Sequence, residues 1–385
     1  MEAYDFAIVG AGVAGASLAA QTARHGRTLV LDGEPQAGRH ATGRSAALFT
    51  KLYGNAAVRT LTNASESFFR HPPAGFSDHP LLLPRACLWI APNAEPEAQA
   101  ALRRLHAEVD GGRLLNAQEV HAKAPILRAG YAAAGLLDEA AADIDVHGLH
   151  HGYLREARAR GAVVALDCMF QGAAALGTGW ELKTSLGTFA AGTLVNAAGA
   201  WADEVAIAAG VAPSGLRPLR RTIVCVDLPG GMSLAGCPFA VTVSEDFYMK
   251  PEAGRLLISP GDETPSPPCD AQPDEIDIAI AIDRLERVIG ASPRRIVSSW
   301  AGLRTFSRDR SPVVGFDPQA RGFFWLAGQG GFGVQTAPAV SRLAAALITG
   351  DEVPADLRTT LISVAPQRHG AQMTAQLPCP PPARI

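Results

Sequence analysis

The stretch Phe6-Ala7-Ile8-Val9-Gly10-Ala11-Gly12-Val13-Ala14-Gly15 decides the fold of this chain. Four apolar residues read as a buried strand, and three glycines spaced G-x-G-x-x-G follow it directly. Residues 16–25 continue without a helix breaker, and Thr28-Leu29-Val30-Leu31 reads as a second strand ending in Asp32. Strand, glycine turn, helix, second strand and acid together are the βαβ unit that holds a dinucleotide. In it Gly10 makes the tight turn, Gly12 lets the backbone approach a pyrophosphate, and Gly15 lets the helix pack on the strand. The helix start, with Val13 and Ala14, offers unpaired N–H groups and a positive dipole end to phosphates. Asp32, 22 residues after Gly10 and followed by Gly33, is placed to accept from a ribose hydroxyl, and an acid there argues against a 2′-phosphate. Alone the unit fits NAD or FAD, and the plainer alternative is a chance glycine-rich turn.

Outward from this unit, 385 residues suffice for a large core and two domains. An apolar content of 48% with 18% charged residues is that of an ordinary globular protein. The 34 basic and 37 acidic residues balance to −3 without a charge block, which gives no footprint for a nucleic-acid partner. No apolar run reaches the ~18 residues of a transmembrane helix. The N-terminus runs straight into the first strand with no room for a signal peptide, so a cytoplasmic address is expected. The six cysteines (Cys87, Cys168, Cys225, Cys237, Cys269, Cys379) have neither CxxC pairing nor metal-like spacing and read as reduced thiols.

Two later segments extend the nucleotide-binding pattern. Asp143-Ile144-Asp145 precedes a helical run over 146–160, a strand is expected at 161–166, and 180–184 with 187–191 read as a meander. Leu194-Val195-Asn196-Ala197-Ala198-Gly199-Ala200-Trp201 is a buried strand entering a glycine-containing turn. Near the end, Phe323-Phe324-Trp325-Leu326-Ala327 is a strand, Gly328-Gln329-Gly330-Gly331-Phe332-Gly333 a loop, and 336–349 a helix. The expected organisation is a discontinuous nucleotide-binding domain from 1–85, 141–215 and 310–368. Alternating patterns such as 222–226 and 247–250 place a second, mainly antiparallel domain in 86–140 and 216–309. The polar, proline-rich 369–385 reads as a disordered tail.

With these pieces in order, the chain resembles the glutathione-reductase-type flavoproteins of the D-amino-acid oxidase/dehydrogenase superfamily. The resemblance rests on the first glycine turn, Thr42-Gly43-Arg44-Ser45-Ala46-Ala47, Asn196 to Trp201, Ser311-Pro312-Val313-Val314-Gly315 and the late glycine loop. It runs from Asp5 to about Arg368 and is strongest toward the bacterial D-arginine dehydrogenase type. It implies a mixed α/β fold, noncovalent FAD, and oxidation of a carbon–nitrogen bond next to a carboxylate. The expected FAD contacts are the glycine turn with Asp32 and Gly33, residues 42–47, then Ala198, Gly199 and Trp201, then Gly330, Gly331, Phe332, Gly333, Val334 and Gln335. Noncovalent binding fits the absence of any cysteine between Cys269 and Cys379, where amine-oxidising cousins tether the flavin.

Oxidation by FAD leaves negative charge on the flavin, which a helix N-terminus following the late glycine loop would stabilise. These glycines also have the plainer reading of a strand-to-helix turn, and Arg44 that of a surface charge. A substrate carboxylate calls for a permanently charged, bidentate fork. Arg304 and Arg221 fall on the family's arginine positions, although an arginine at a strand end is ordinarily solvated. Tyr53 and Tyr248 match substrate-contacting tyrosines, against the alternative of packed aromatics with satisfied hydroxyls. Gly331 lies in the same expected site. No strong side-chain base is evident, so a desolvated site that lowers the substrate amine pKa, with tyrosine or water taking the proton, is expected.

Two positions depart from the arginine-oxidising relatives. Cys87 stands where they carry an acid, and Leu48 where they carry a histidine; Glu245 is the only matched acid left. The expected substrate is therefore a neutral or hydrophobic D-amino acid. A secondary amino acid of the sarcosine or proline type, a 2-hydroxy acid, and a flavin-binding subunit of a larger complex are the alternatives. Nothing in the sequence chooses among quinone, electron-transfer protein and oxygen as electron acceptor.

Overall fold

A computed structural model describes residues 1–369, so the tail beyond His369 lies outside the described residues. The opening stretch forms strand Glu2–Val9, helix Val13–Thr22 and strand Thr28–Leu31. The helix starts three residues earlier than its apolar run suggests because Gly12 is the residue before its first turn. Strand Glu2–Val9 pairs in parallel with Thr28–Leu31 on one side and with Gly187–Asn196 on the other, Glu2 opposite Phe189 and Val9 opposite Asn196. Val163–Ala165 extends one edge, and the long strand Gly187–Asn196 takes two further partners. Its first half pairs antiparallel with Gly179–Thr184, the expected meander; its last residues pair in parallel with Phe323–Ala327. The result is an eight-stranded, largely parallel sheet assembled from distant stretches of chain.

Such a sheet has to be covered on both faces. On one face, helix Val13–Thr22 lies between helices Val146–Ala159 and Gly333–Thr349. Its Ala16, Ala19 and Ala20 are fully buried, and these small side chains let the helices approach closely. The other face buries Leu29, Leu31, Trp180, Phe323 and Trp325. Helix Gly333–Thr349 begins three residues before the expected 336, inside the late glycine loop, and carries Pro338. A proline removes one ladder hydrogen bond. The neighbouring N–H of Ala339 donates to Ser65 Oγ of helix Ala56–Arg70 at 3.1 Å.

A second sheet of nine strands is mainly antiparallel, with one parallel pair between Cys87–Pro92 and Phe239–Thr242. Alternation along its strands separates two faces. Leu88, Ile90, Ala240, Met249 and Ile258 join one apolar cluster with helix Glu275–Ile289. Cys87, Trp89, Val241 and Tyr248 join a different cluster with Leu52, against which Leu48 and Tyr53 pack. A third, three-stranded sheet is made of Leu48–Phe49, Leu82–Pro84 and Ala142–Ile144. Among the described residues no helix is long and apolar enough to cross a membrane.

Candidate flavin and substrate site

The first glycine turn has the geometry its sequence implies. Gly10 has φ of +105°, and a Cβ there would lie 2.4 Å from Ala197 O. A Cβ on Gly15 would lie 1.9 Å from Gly10 O, whereas at Gly12 the nearest atom is Thr42 Oγ1 at 3.3 Å. Gly10 and Gly15 are thus required for packing, and Gly12 leaves the backbone open toward a ligand. Asp32 accepts from Ala11 N at 2.7 Å and from Glu34 N at 3.0 Å. Burial lifts its carboxyl above the usual range, and these two N–H groups oppose the shift. Thr42 Oγ1 accepts from Val13 N at 3.0 Å, so the threonine hydroxyl is held at the helix start with its own proton free to donate onward.

A cavity of about 550 Å³ opens in front of this turn. Its wall includes Gly10, Gly12, Val13, Ala14, Asp32, Gly33, Thr42, Arg44, Ser45, Ala46, Ala198, Gly199 and Trp201. Gly330, Gly331, Gly333 and Val334 are also in the wall, as are Arg221 and Arg304. One space therefore joins the glycine turn to both arginines. Gly15, Gly43, Ala47, Phe332 and Gln335 are not among the described residues of the wall. The Gln335 side chain is committed to Thr50 N at 3.4 Å and to Thr62 Oγ1 at 2.9 Å.

Arg44 lines the cavity, but its guanidinium is already engaged. It donates to Ala271 O at 3.0 Å and Ala301 O at 2.9 Å and pairs with Asp270. Trp300 Nε1 donates to Arg44 O at 3.1 Å. The expected basic loop is thus fastened across to the second sheet. Asp270 and Ala271 carry no motif and were not expected at the site. Wall residues without a sequence signal are Ala271, Met169, Phe170, Ile223 and Thr305. His40 and Glu34, also in the wall, form a 2.8 Å contact, and the His40 ring lies 4.6 Å from that of Trp201.

Arg304 and Arg221 stand on the paired strands Arg295–Phe306 and Arg217–Asp227. The Arg304 guanidinium meets Tyr53 OH at 3.5 Å, its only hydrogen bond among the described residues. Burial works against its charge, but Tyr53, Tyr248 and Glu245 around it prevail and raise its pKa. A Cβ on Gly331 would come within 3.1 Å of Arg304 Nη1, so this glycine makes room for the guanidinium. Arg221, 6% exposed, donates to Asp262 O at 2.8 Å and contacts Glu263 Oε1 at 3.4 Å. Glu263 is in turn gripped by both Arg310 nitrogens, at 3.0 and 2.6 Å.

The aromatic residues gather around these charges. The Tyr53 ring lies 4.7 Å from Phe332 and 6.1 Å from Trp89, and Tyr248 stacks on Phe239 at 5.4 Å. Among the described residues, Tyr248 OH and Trp89 Nε1 are buried without a partner. Burial raises the Tyr53 pKa, which keeps the phenol protonated. Glu245 sits in the turn before strand Tyr248–Glu252 with a left-handed φ of +58°. Burial raises its carboxyl, opposed by Arg304, Arg221 and the Tyr53 hydroxyl. Cys87, 1% exposed, pairs in register with Asp138, and burial followed by that carboxylate pushes its thiol pKa well up. Leu48 packs against the same cluster. The structure therefore brings Tyr53, Tyr248 and Glu245 around Arg304 and packs Cys87 and Leu48 into the same cluster as the two tyrosines, but none of Leu48, Tyr53, Cys87, Glu245 and Tyr248 is among the described residues of the cavity wall.

A dinucleotide turn, a second sheet bearing two arginines and one cavity lined by both fit a nucleotide-dependent oxidoreductase of two-sheet architecture. The chain matches the family of FAD-dependent oxidoreductases (DAO) over residues 5–347 and belongs to it; its cofactor is FAD. It is 28% identical to glycine oxidase from Geobacillus kaustophilus over 184 residues, 47% of this chain and 46% of that one. It is 29% identical to the FAD-dependent oxidoreductase domain-containing protein 1 of Xenopus laevis over 175 residues, 40% of this chain and 34% of that one. The matched stretches thus span between a third and a half of these curated relatives. The structure of L-proline dehydrogenase from P. horikoshii superposes with a TM-score of 0.82 at 19% identity, covering 96% of this chain and 98% of that one. That of the Geobacillus glycine oxidase gives 0.81 at 24% identity, covering 93% and 98%. At these identities the superpositions establish a shared fold.

The wall fits FAD: a backbone cradle without side chains at Gly12, an acid at the end of the second strand, and a helix start at Gly333 on the same cavity. The residues that would hold it are Gly10, Gly12, Val13, Ala14, Asp32, Thr42, Gly330, Gly331, Gly333 and Val334.

Proposed function

We propose that the chain oxidises the carbon–nitrogen bond of a small amino acid, most readily a neutral or hydrophobic D-amino acid, to the 2-imino acid that hydrolyses to a 2-oxo acid. Bound FAD supplies the hydride acceptor. The observation that carries the reading is the contrast between the two arginines. Arg221 already has Asp262 and Glu263, whereas Arg304 lines the cavity with a long contact to the Tyr53 hydroxyl and no ion pair among the described residues, the Glu245 carboxyl acting on it only from farther off. An arginine beside a cavity with no carboxylate in contact is a site for one. The start of helix Gly333–Thr349 presents its first-turn N–H groups to the same space, suited to negative charge on the reduced ring.

Loss of hydride requires the amine to be neutral. Tyr53 is kept protonated by burial, so it orients the substrate and does not serve as a phenolate base. The aromatic surroundings of Arg304, with Tyr53 packed on Phe332 and Trp89, favour a desolvated amine over an ammonium, and water takes the proton. Cys87 and Leu48 belong to the apolar cluster that also holds Tyr53 and Tyr248, which leaves no charge at these two positions for a cationic side chain and supports neutral over cationic substrates. A secondary amino acid or glycine is the second reading, supported by the likeness to glycine oxidase and L-proline dehydrogenase. The deciding experiment is anaerobic flavin bleaching by a panel of D- and L-amino acids, glycine, sarcosine, proline and 2-hydroxy acids. D-leucine or D-phenylalanine should bleach the flavin faster than D-arginine. Bleaching by sarcosine or proline alone selects the second reading, and a strong D-arginine preference refutes the apolar-pocket argument.

A further inference from the structure

We infer that His150 is a positioning residue for the FAD pyrophosphate, acting through the peptide between Ala11 and Gly12. His150 lies on helix Val146–Ala159, is 3% exposed and is absent from the cavity wall. Its Nε2 meets Ala11 O at 2.8 Å. A carbonyl only accepts, so Nε2 carries the proton. In a planar trans peptide the C=O and the following N–H point in opposite directions. Holding Ala11 C=O back against the helix therefore aims Gly12 N–H the other way, toward the cavity that Gly12 lines and Ala11 does not.

The turn is held from a second side by Asp32, which accepts from Ala11 N at 2.7 Å. The Ala11 N–H and C=O are thus both fixed by side chains from other elements. The same imidazole supports the opposite wall. A Cβ on Gly38 would lie 2.9 Å from His150 Cε1, so the loop that leads to Thr42 rests on the ring. Burial first, then the charges of His151 and His147, lower the His150 pKa, and the bond to Ala11 opposes them. The ring thus donates as a neutral imidazole and adds no charge of its own near the phosphates. The role is one of aim, and it rests on the FAD assignment, independently of which substrate is oxidised.

The test compares full-length wild type, His150→Phe and His150→Gln purified with FAD. FAD dissociation constants are read from flavin fluorescence on serial dilution, with far-UV circular dichroism of the same samples. Loss of one aimed, charge-facing hydrogen bond predicts about tenfold weaker FAD in His150→Phe. His150→Gln, which retains an amide donor at similar reach, should stay within about threefold of wild type. If His150→Phe fails to fold, His150→Ala replaces it in the same comparison. FAD held as tightly by the donor-less variant as by wild type overturns the inference. So does equal loss in the donor-less and glutamine variants, since that would make the ring's volume the cause.

Discussion

Arg304 and Arg221 look alike as letters, each an arginine near a strand end, and their difference is set by neighbours far away in sequence. Asp262 and Glu263 lie about 40 residues from Arg221 in an unpatterned loop, so no spacing rule announces them. Removing Arg304, which has no ion pair among the described residues, should cost more than removing Arg221, which has one. Arg304→Ala is expected to lower kcat/KM by about 10²–10³, mostly through KM, the scale of truncating one side of a desolvated charge pair. Arg221→Ala is expected to lose about tenfold, because Glu263 keeps Arg310. Steady-state assays with an artificial electron acceptor check the order, and a larger loss at Arg221 would remove the basis for the proposed carboxylate clamp. The legible part of the site is that whose geometry is local: Gly10, Gly15 and Asp32 are prescribed by one turn. Arg44 was legible as a basic loop residue, but its attachment to Asp270 spans 226 positions and was not.

The long strands and helices could be read from runs of apolar residues and glycine punctuation, because each carries its own periodicity. The three-stranded sheet could not, since strands such as Leu48–Phe49 are too short to show any. The segment after strand Arg295–Phe306 is another element defined by distant contacts. Asp309 pairs with Arg368 at 2.8 Å, and Asn55, which caps helix Ala56–Arg70, donates to Asp309 O and Ser311 Oγ. Arg310 there adopts a left-handed φ of +63° and lies 3.9 Å over the Phe306 ring. Burial opposes the Asp309 charge, but Arg368, Ser311 N–H and the Ser307 hydroxyl prevail and hold its carboxyl well below the usual range. A carboxyl depressed in the folded state stabilises it fully above the unfolded value of about 4, and that contribution fades as pH falls further. Wild type should therefore exceed Asp309→Asn in urea midpoint at pH 6, with the gap closing below about pH 4. A gap constant with pH would show that Asp309 acts through packing.

At the scale of the molecule, the two large sheets are interleaved along the chain. Strand Cys87–Pro92 enters the second sheet after the nucleotide-binding unit has begun, and Phe323–Ala327 returns to the first sheet after the second is complete. Three separated glycine motifs in the sequence suggest a nucleotide-binding part assembled from distant pieces. They do not show that Gly187–Asn196 is the strand shared by the meander, the first strand and the late strand. Because Leu194 to Asn196 lack their outer neighbour until Phe323 to Trp325 arrive, a chain stopped at residue 322 should leave that strand exposed. Trypsin should digest such a chain at a rate close to that of the unfolded protein, while the full chain resists. Equal resistance would mean that the first sheet closes without its last strand.

The pairing of Glu2 with Phe189 and of Asn196 with Trp325 also sets a timetable. At 5–20 residues per second, about 15–60 s of synthesis separate the first strand from the last partner its sheet requires. During that interval the apolar Phe6-Ala7-Ile8-Val9 edge waits on the ribosome without its neighbour at 193–196 for more than half the time. The first sheet, and with it the full wall of the cavity, can be completed only after residue 334 has been made.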